Sequence, residues 1–312
     1  MILDTVRRAR ALVPPERIRV LAGAPLIPLF QAALPELPSE AYLSEPQARG
    51  TAPVLAWAAW KILRRDPEAV LVSLHSDHLV EPEAAFVELL RQGAALADRE
   101  RLLVTVGADP DRPETGYGYI QPGATVAGPP DGAARVAAFH EKPDADTAAS
   151  FIRDGFLWNT GIFIWRADVF LEEIRAHAPE VALALPRLEA GDEAGFFQAC
   201  IATTVDVAVL ERSRRVAVIP CSFRWDDVGS WASLPRIRPA DAQGNVTVGP
   251  TVAVESLNNV VFTENYPVVL FGVEDLIVVR TGGVTLVTRR ALAPELKRLV
   301  EGLPENLVDP ER

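Results

Sequence analysis

Short apolar runs alternate with longer amphipathic stretches over roughly the first 240 residues of the chain. The apolar runs favour β-strands, and the stretches with Ala, Leu, Glu and Arg at helical spacing favour α-helices. We predict strands at Ile18–Leu21, Val70–Leu74, Leu102–Val106, Tyr117–Gln121, Val136–His140, Gly161–Trp165 and Val216–Ile219, and helices at Pro53–Arg65, Pro82–Ala97, Asp146–Arg153 and Ala167–His177. This alternation indicates βαβ crossovers and therefore an α/β fold class, with a mostly parallel sheet covered by helices on both faces.

The pattern changes after Asp241–Asn245, where short β-type runs follow one another about every eight residues. These runs are Val252–Glu255, Val260–Thr263, Val268–Phe271, Leu276–Arg280 and Val284–Thr288, and a helix at Arg290–Glu301 follows them. Short strands with one apolar face need a cover. We therefore predict two domains, residues 1–240 and residues 241–312, and a homodimer contact through the second, a small C-terminal β domain.

Composition narrows the class of protein. The chain has 312 residues and a net charge of −11, which gives no general attraction to nucleic acid or to an anionic membrane. Cys200 and Cys221 are too few for a disulfide framework or a four-ligand zinc site, which fits a reducing cytosol. The first ten residues lack the apolar core of a signal peptide, and no apolar run reaches the ~20 residues that span a bilayer. We expect a cytoplasmic protein with no nucleic-acid or membrane partner.

Polar residues directly after a predicted strand are the first candidates for chemistry, because ligands of α/β sheets bind at the carboxyl ends of the strands. Asp77 follows Val70–Leu74, where a carboxylate is placed to hold Mg²⁺ against a phosphate, or else to shape the turn before the next helix. His75 and His78 beside it suggest zinc, but no further His or Cys lies at a ligand spacing nearby. A zinc site is therefore the less favoured interpretation.

Two further strand ends carry polar groups. Glu141 can accept hydrogen bonds from sugar hydroxyls and Lys142 can neutralise a phosphate, unless the segment is a solvated turn in which Pro143 starts a helix. Lysine occurs only three times in the chain, which marks Lys142 as a position that arginine does not fill. Asn159 offers a donor and an acceptor to a hydroxylated ligand and Gly161 permits close backbone approach, unless both simply form a turn into the strand.

Carboxylates at two other places have both a chemical and a structural interpretation. Asp226 and Asp227 are adjacent and flanked by tryptophans, and half-burying them requires a cation or hydrogen bonds, so metal binding is favoured.

Glu45 opens the run E-P-Q-A-R-G-T that ends at Thr51. A carboxylate can accept from N1–H and N2–H of guanine, which adenine does not offer. The alternative is a helix entry with Thr51 as its N-cap.

Taken in order, these motifs resemble those of the sugar-phosphate nucleotidyltransferases, in particular the mannose-1-phosphate guanylyltransferases. The matching run is E-P-x-x-R-x-T, S-D-H, G-Y-G-Y-I at Gly116–Ile120, F-x-E-K-P, W-N-T-G-I-F, T-x-D-x-A-V-x-E at Thr204–Glu211 and W-D-D-V-G-S-W. The resemblance covers nearly the whole chain. It implies a Rossmann-like nucleotidyltransferase fold, GTP and mannose-1-phosphate as small-molecule partners, Mg²⁺ as cofactor, and GDP-mannose and pyrophosphate as products.

The same resemblance implies roles for individual positions. It makes Asp77 and Asp227 the Mg²⁺ ligands, with Asp226 as the alternative to its neighbour, and it names Asp77, Lys142 and Asp227 as catalytic. It places Glu45 against guanine, with Arg49 and Thr51 close by. It places Gly118, Glu141 and Asn159 around the sugar and Lys142 on the sugar phosphate. Asp206 would lie in the pocket wall. The implied reaction is in-line attack by the sugar phosphate oxygen on the α-phosphorus of GTP, so the protein acts by positioning groups and neutralising charge.

The chain departs from the family pattern in three places. The family opens with a strand and a G-G-x-G-x-R loop, whereas Met1–Ala9 already resembles the helix after that loop. Loss of a central strand would expose the edges and apolar faces of its neighbours. The family usually has Pro at the place of His75 and Asn at the place of Gly50. Three hypotheses stay open: a guanylyltransferase whose start lies upstream of Met1, a non-catalytic homologue that binds sugar nucleotides, and a nucleotidyltransferase for another hexose-1-phosphate or base.

Overall fold

A computed structural model describes residues 1–304 and residue 307, apart from the side chains of residues 294 and 297. The chain divides into two compact units, Met1–Trp225 and Asp226–Arg312, so the boundary predicted near residue 240 lies within the second unit. Among the helices in the described ranges, none combines the length and the apolar character needed to cross a bilayer.

The first unit alternates strands and helices as the hydrophobic pattern predicts. Its strands are β1 (Val20–Gly23), β2 (Tyr42–Glu45), β3 (Val70–Ser73), β4 (Leu79–Glu81), β5 (Leu103–Ala108), β6 (Gly118–Thr125), β7 (Ala134–Glu141), β8 (Leu157–Arg166) and β9 (Val216–Pro220), and β10 (Arg224–Asp226) marks its end. Its helices are α1 (Ile2–Arg10), α2 (Ile27–Ala33), α3 (Thr51–Leu63), α4 (Glu83–Glu100), α5 (Ala145–Arg153), α6 (Ala167–His177), α7 (Pro179–Ala182), α8 (Leu185–Glu189) and α9 (Glu193–Ala199). A π-helical turn follows at Asp206–Leu210.

The α/β class is confirmed, but the main sheet is mixed and not mostly parallel. It has six strands in the order β3-β8-β5-β9-β7-β6, with an additional β8–β6 pairing. Only the β5–β9 pair is parallel, because β7 and β8 run against the other four strands and each lies between strands of the opposite direction. The sequence pattern predicts strands and crossovers, but it does not reveal that β8 inserts between β3 and β5.

Local sequence explains the elements that frame the site. All six residues of β5 are buried, which matches its continuous apolar run and its place inside the sheet. Asp144 caps the N-terminus of helix α5, since its side chain accepts a hydrogen bond from the Thr147 amide at 2.8 Å. Helix α4 ends at Glu100, and its C-cap Arg101 takes a left-handed conformation with φ of 50°.

The strands β1 and β3 border one cavity. In the part of the chain that the structure describes, β1 pairs only with β2, and β3 only with β8. Every residue of both strands lines a cavity of 1480 Å³, together with apolar side chains of α1 and α3. Each strand therefore presents a backbone edge without a ladder partner to this cavity.

The second unit is a stack of short strands. It contains β11 (Val246–Val248), β12 (Thr251–Val254), β13 (Val260–Thr263), β14 (Val268–Phe271), β15 (Leu276–Thr281) and β16 (Val284–Arg289), with α10 (Leu234–Ile237) before them and α11 (Leu296–Glu301) after them. Strands β11, β13 and β15 are parallel, β16 is antiparallel to β15, and β12 pairs with β14. The registers align Val246, Val260 and Ile277, each 0% exposed, in successive layers of the core. The helix predicted at Arg290–Glu301 begins as a 3₁₀ turn, Arg290–Glu295.

Two neighbouring asparagines, Asn245 and Asn259, form hydrogen bonds with each other and with the backbone of the turns in this unit. The Asn259 amide group donates to Asn245 Oδ1 at 3.0 Å and to the Val273 carbonyl at 3.1 Å, while its oxygen accepts from the Leu276 amide at 3.0 Å. Asn259 is 0% exposed, so water does not replace these partners. The side chain thus satisfies backbone groups that the turns leave without a ladder partner.

We predict that Asn259→Ala lowers the free energy of unfolding by about 2–3 kcal/mol, because it leaves several buried polar groups without a partner. Urea unfolding of the variant and the parent protein measures this difference. The matched control is Asn265→Ala, which removes the same side chain at an exposed position. Equal losses in the two variants would contradict the role given to Asn259.

Candidate functional site

A polar cluster forms where β6 and β8 begin and β7 ends. Gly118 at the start of β6 is paired with Glu141 at the end of β7. A Cβ atom on Gly118 would lie 2.7 Å from Glu141 Oε2, so only glycine leaves the carboxylate in its present position. The sequence predicts both residues as sugar-binding, and the structure places them side by side.

Lys142 adds a positive charge to this cluster. Its Nζ lies 2.6 Å from Glu141 Oε1, and its side chain remains 59% exposed. The backbone of Lys142 has a φ of 49°, and its amide donates to the Tyr117 carbonyl at 3.2 Å. The turn therefore holds an accessible ammonium group at the end of β7 beside the carboxylate.

Asn159 connects β8 with the π-helical turn. Its Nδ2 donates to Asp206 Oδ1 at 2.8 Å, and its Oδ1 accepts from the Thr105 hydroxyl at 2.9 Å and from the Gly161 amide at 3.3 Å. Burial raises the pKa of the Asp206 carboxyl to about 6, and the nearby negative charge of Glu141 raises it as well. Asn159 thus contacts Asp206, and the charge of Glu141 acts on the same carboxyl; binding of a sugar by these residues stays a prediction.

The run from Glu45 to Thr51 is fastened to the segment that precedes Asp206. Arg49 Nε donates to the Phe197 carbonyl at 3.0 Å, and the Thr51 hydroxyl accepts from the Val205 amide at 2.9 Å. These two side chains predicted to lie near guanine therefore hold the loop in place. The Glu45 carboxylate has no hydrogen-bond partner among the described residues, and burial raises its pKa.

Gly50 explains how this loop approaches its neighbour so closely. It has a φ of 83°, and a Cβ atom there would lie 2.4 Å from the Thr203 carbonyl oxygen. The Thr203 amide donates to the Arg49 carbonyl at 3.0 Å. Glycine at this departure from the family pattern thus permits a tight backbone pairing.

Asp77 lies in an exposed bend between β3 and β4. The ligand atoms of His75, Asp77 and His78 lie within 4.8 Å of one another. The Trp225 indole N–H donates to His78 Nδ1 at 3.1 Å, so a neutral His78 carries its proton on Nε2 and its lone pair faces the indole. The Asp77 carboxylate suits Mg²⁺, which takes few protein oxygens and completes its shell with substrate oxygens and water.

Helix α1 holds this bend in place. The Thr5 hydroxyl lies 3.4 Å from the His75 carbonyl oxygen and 3.3 Å from that of Ser76, and an Arg8 nitrogen donates to the His78 carbonyl at 3.1 Å. Arg8 is 4% exposed, and burial lowers the pKa of its guanidinium.

Asp226 and Asp227 belong to the second unit. Both Asp226 oxygens pair with Arg236, at 2.5 and 3.0 Å, and Asp226 is 6% exposed. This ion pair accounts for the burial of Asp226 without a metal. Asp227 is partly exposed and its Oδ1 accepts from the Gly229 amide at 3.1 Å. Metal binding by either residue stays a prediction from the sequence.

Thr105 is the residue of this cluster that sequence reasoning missed. It is 0% exposed and lies within β5, whose other residues are apolar or glycine. A single hydroxyl inside a fully buried strand must find a partner, and this is the signal that marks such a residue.

Comparison with known proteins decides the family. The nucleotidyl transferase family model matches residues 29–244, and the MannoseP isomerase/GMP-like beta-helix domain matches residues 249–303. The chain belongs to the nucleotidyl transferase family. Nucleotidyl transferases of this kind generally use divalent metal ions.

Curated relatives and a crystal structure resemble this nucleotidyl transferase. Alginate biosynthesis protein AlgA of Pseudomonas aeruginosa is 37% identical over 86% of this chain and 57% of its own length. Mannose-1-phosphate guanylyltransferase of Escherichia coli is 37% identical over 84% of this chain and 58% of its own length. The crystal structure named mannose-1-phosphate geranyltransferase from Thermus thermophilus has 31% identity and a TM-score of 0.88, covering 96% of this chain and 88% of that one. The chain thus spans under two thirds of the length of these curated relatives.

We predict that Asp206→Asn stabilises the protein at about pH 8 and has less effect at about pH 5. The folded-state pKa of about 6 exceeds the usual 3.8, so the folded protein loses stability as the pH rises through this interval. Asparagine keeps the acceptor for Asn159 and removes the charge. Thermal unfolding at the two pH values measures the effect, with exposed Asp131→Asn as the control. Destabilisation of similar size at both pH values would contradict the prediction.

Proposed function

We propose that the protein is a mannose-1-phosphate guanylyltransferase, which transfers GMP from GTP to mannose-1-phosphate. The observation that carries the proposal is the cluster of Glu141, Asn159 and Asp206, whose donors and acceptors suit sugar hydroxyls, with the Lys142 ammonium beside it. The family membership and the names of the relatives support the same reaction.

In this proposal the protein positions two anionic substrates for in-line transfer. An oxygen of the sugar phosphate forms a bond to the α-phosphorus of GTP, and the bond from that phosphorus to the pyrophosphate oxygen breaks. Lys142 neutralises the sugar phosphate, and Gly118 leaves room for Glu141 to accept from a sugar hydroxyl. Glu45, which ends β2, faces guanine; Arg49 and Thr51 act by holding its loop.

We propose Mg²⁺ as the divalent ion and Asp77 as its ligand, while ligation by Asp227 stays a prediction from the sequence. When bound, Mg²⁺ supplies positive charge to the phosphate oxygens during transfer. Carboxylate oxygens are the ligand type that Mg²⁺ prefers, and the bend that carries Asp77 exposes its oxygens to solvent.

The test is release of pyrophosphate from GTP and mannose-1-phosphate in the presence of Mg²⁺. We predict that Lys142→Ala raises the KM for mannose-1-phosphate about tenfold or more, since it removes a charged hydrogen bond to the phosphate. Arg153→Ala, an exposed charge on α5, is the matched control and should leave the KM unchanged.

Two results would overturn the proposed function. One is binding of GDP-mannose without pyrophosphate release, which identifies a non-catalytic binding protein. The other is turnover of glucose-1-phosphate, or of ATP or UTP, at rates above those with mannose-1-phosphate and GTP, which identifies a different nucleotidyltransferase.

We also propose that the protein forms a homodimer through the β12–β14 sheet. Parallel pairing sets Val252 beside Val269 and Val254 beside Phe271, and residues two apart on a strand share a face. All four side chains are exposed, from 46% for Val254 to 70% for Phe271. A second copy of the same face would bury these four apolar side chains.

We predict that Phe271→Glu converts the dimer to a monomer in analytical ultracentrifugation, because two new carboxylates would meet at the contact. Val287→Glu places the same charge on exposed β16 of the other sheet and should leave the dimer intact. A parent protein that sediments as a monomer would rule out this contact.

A further inference from the structure

The strand β8 changes its register against β5 next to the sugar-binding cluster. Thr105 faces Phe163, whereas Gly107 faces Asn159, so β8 uses two more residues than β5 between these pairs. Gly161 in the bulge has a φ of 70°. The Thr160 hydroxyl donates to the Val106 carbonyl at 2.8 Å and accepts from the Ile162 amide at 3.3 Å, which replaces ladder hydrogen bonds lost in the bulge.

Asn159 lies in β8 at the edge of this bulge, and three groups determine how its side-chain amide is turned. The Thr105 hydroxyl at 2.9 Å and the Gly161 amide at 3.3 Å both donate to Oδ1, and Asp206 accepts from Nδ2. With the amide reversed, two nitrogens would face each other at Gly161 and two oxygens at Asp206. Of the two donors, Thr105 makes the shorter bond.

The chosen orientation leaves groups available for a ligand. Asn159 Nδ2 has a second N–H with no acceptor among the described residues. The Asp206 carboxylate accepts from Asn159 and from its own backbone amide, and its two oxygens keep further lone pairs for a ligand donor. A donor and an acceptor side by side match a hydroxyl group, which accepts one hydrogen bond and donates another. Both residues remain partly exposed, so a ligand can reach them.

We propose that Thr105 is a positioning residue for sugar recognition: its hydroxyl holds the Asn159 amide so that Asn159 and Asp206 together bind one sugar hydroxyl. The proposal rests on the proposed function of the site. Thr105 lies in a buried strand and does not itself contact the ligand. Its methyl group fits the apolar core, whereas its hydroxyl serves Asn159 and makes a longer contact, at 3.4 Å, with the Ile162 carbonyl.

The test compares Thr105→Val with Thr105→Ser. Valine keeps the shape and removes the hydroxyl, and serine keeps the hydroxyl and removes a methyl group. We expect the valine variant to raise the KM for mannose-1-phosphate about fivefold with little change in kcat, and the serine variant to restore the KM. Thr263→Val is the matched control, since it removes another buried hydroxyl, which donates to the Tyr266 carbonyl, in the second unit; its KM should equal that of the parent.

A second measurement does not depend on turnover. In protein labelled with ¹⁵N-asparagine, the Asn159 side-chain signals are assigned by their loss in Asn159→Ala. We expect Thr105→Val, but not Thr105→Ser or Thr263→Val, to shift or broaden these signals in the free protein. If the parent releases no pyrophosphate, the proposed function fails while this measurement still decides the role of Thr105. Asn159 signals unchanged in Thr105→Val, or a serine variant as impaired as the valine variant, would overturn the proposal.

Discussion

The bulge in β8 is the constraint on which the candidate site depends. β8 pairs with β3 and β5 along one half and with β5 and β6 along the other, and the bulge separates the two halves. A regular strand would continue one ladder through this region and keep its side chains in the sheet's alternation. Two additional residues free Asn159 to meet Asp206, which comes from a turn far along the chain. The residues of the bulge between Asn159 and Phe163 thus determine both the pairing of β8 with β5 and the position of Asn159 in the site.

The charges of the site indicate a division of tasks. Glu141 and Asp206 are acidic, and Lys142 is the cation that touches this cluster, at 2.6 Å from Glu141, in the described part of the chain. Glu141 and Asp206 suit hydroxyl groups, and the exposed Lys142 ammonium beside them can pair with an anion. In the proposed reaction one ammonium group does not balance the charge of two anionic substrates, and a divalent ion would supply the remaining positive charge. If the proposed function holds, the sugar end and the phosphate end of the substrate meet chemically different surroundings.

Elements with strong periodicity could be predicted from the sequence, whereas contacts between distant segments could not. Helix Ala167–His177 has the predicted bounds, because apolar spacing and its flanking residues define both ends. Strand Tyr42–Glu45 was missed, since it has little apolar alternation and depends on its pairing with β1. Thr105 was missed because its partner lies 54 positions away, and only the register of β5 against β8 brings them together. The hydrogen bonds of Arg49 and Thr51 to the backbone of Phe197 and Val205 could not be predicted from the sequence either, because these segments are far apart along the chain.

The buried contacts of α1 have a mechanical consequence. Thr5 and Arg8 hold the backbone of the Asp77 bend, and Thr5 also lines the cavity between β1 and β3. Helix α1 therefore contacts both the cavity and the bend that carries Asp77. A displacement of α1 would stretch these hydrogen bonds and so act on the backbone on both sides of Asp77. The electrostatic potential at the end of β3 is in this way governed by how the first helix packs.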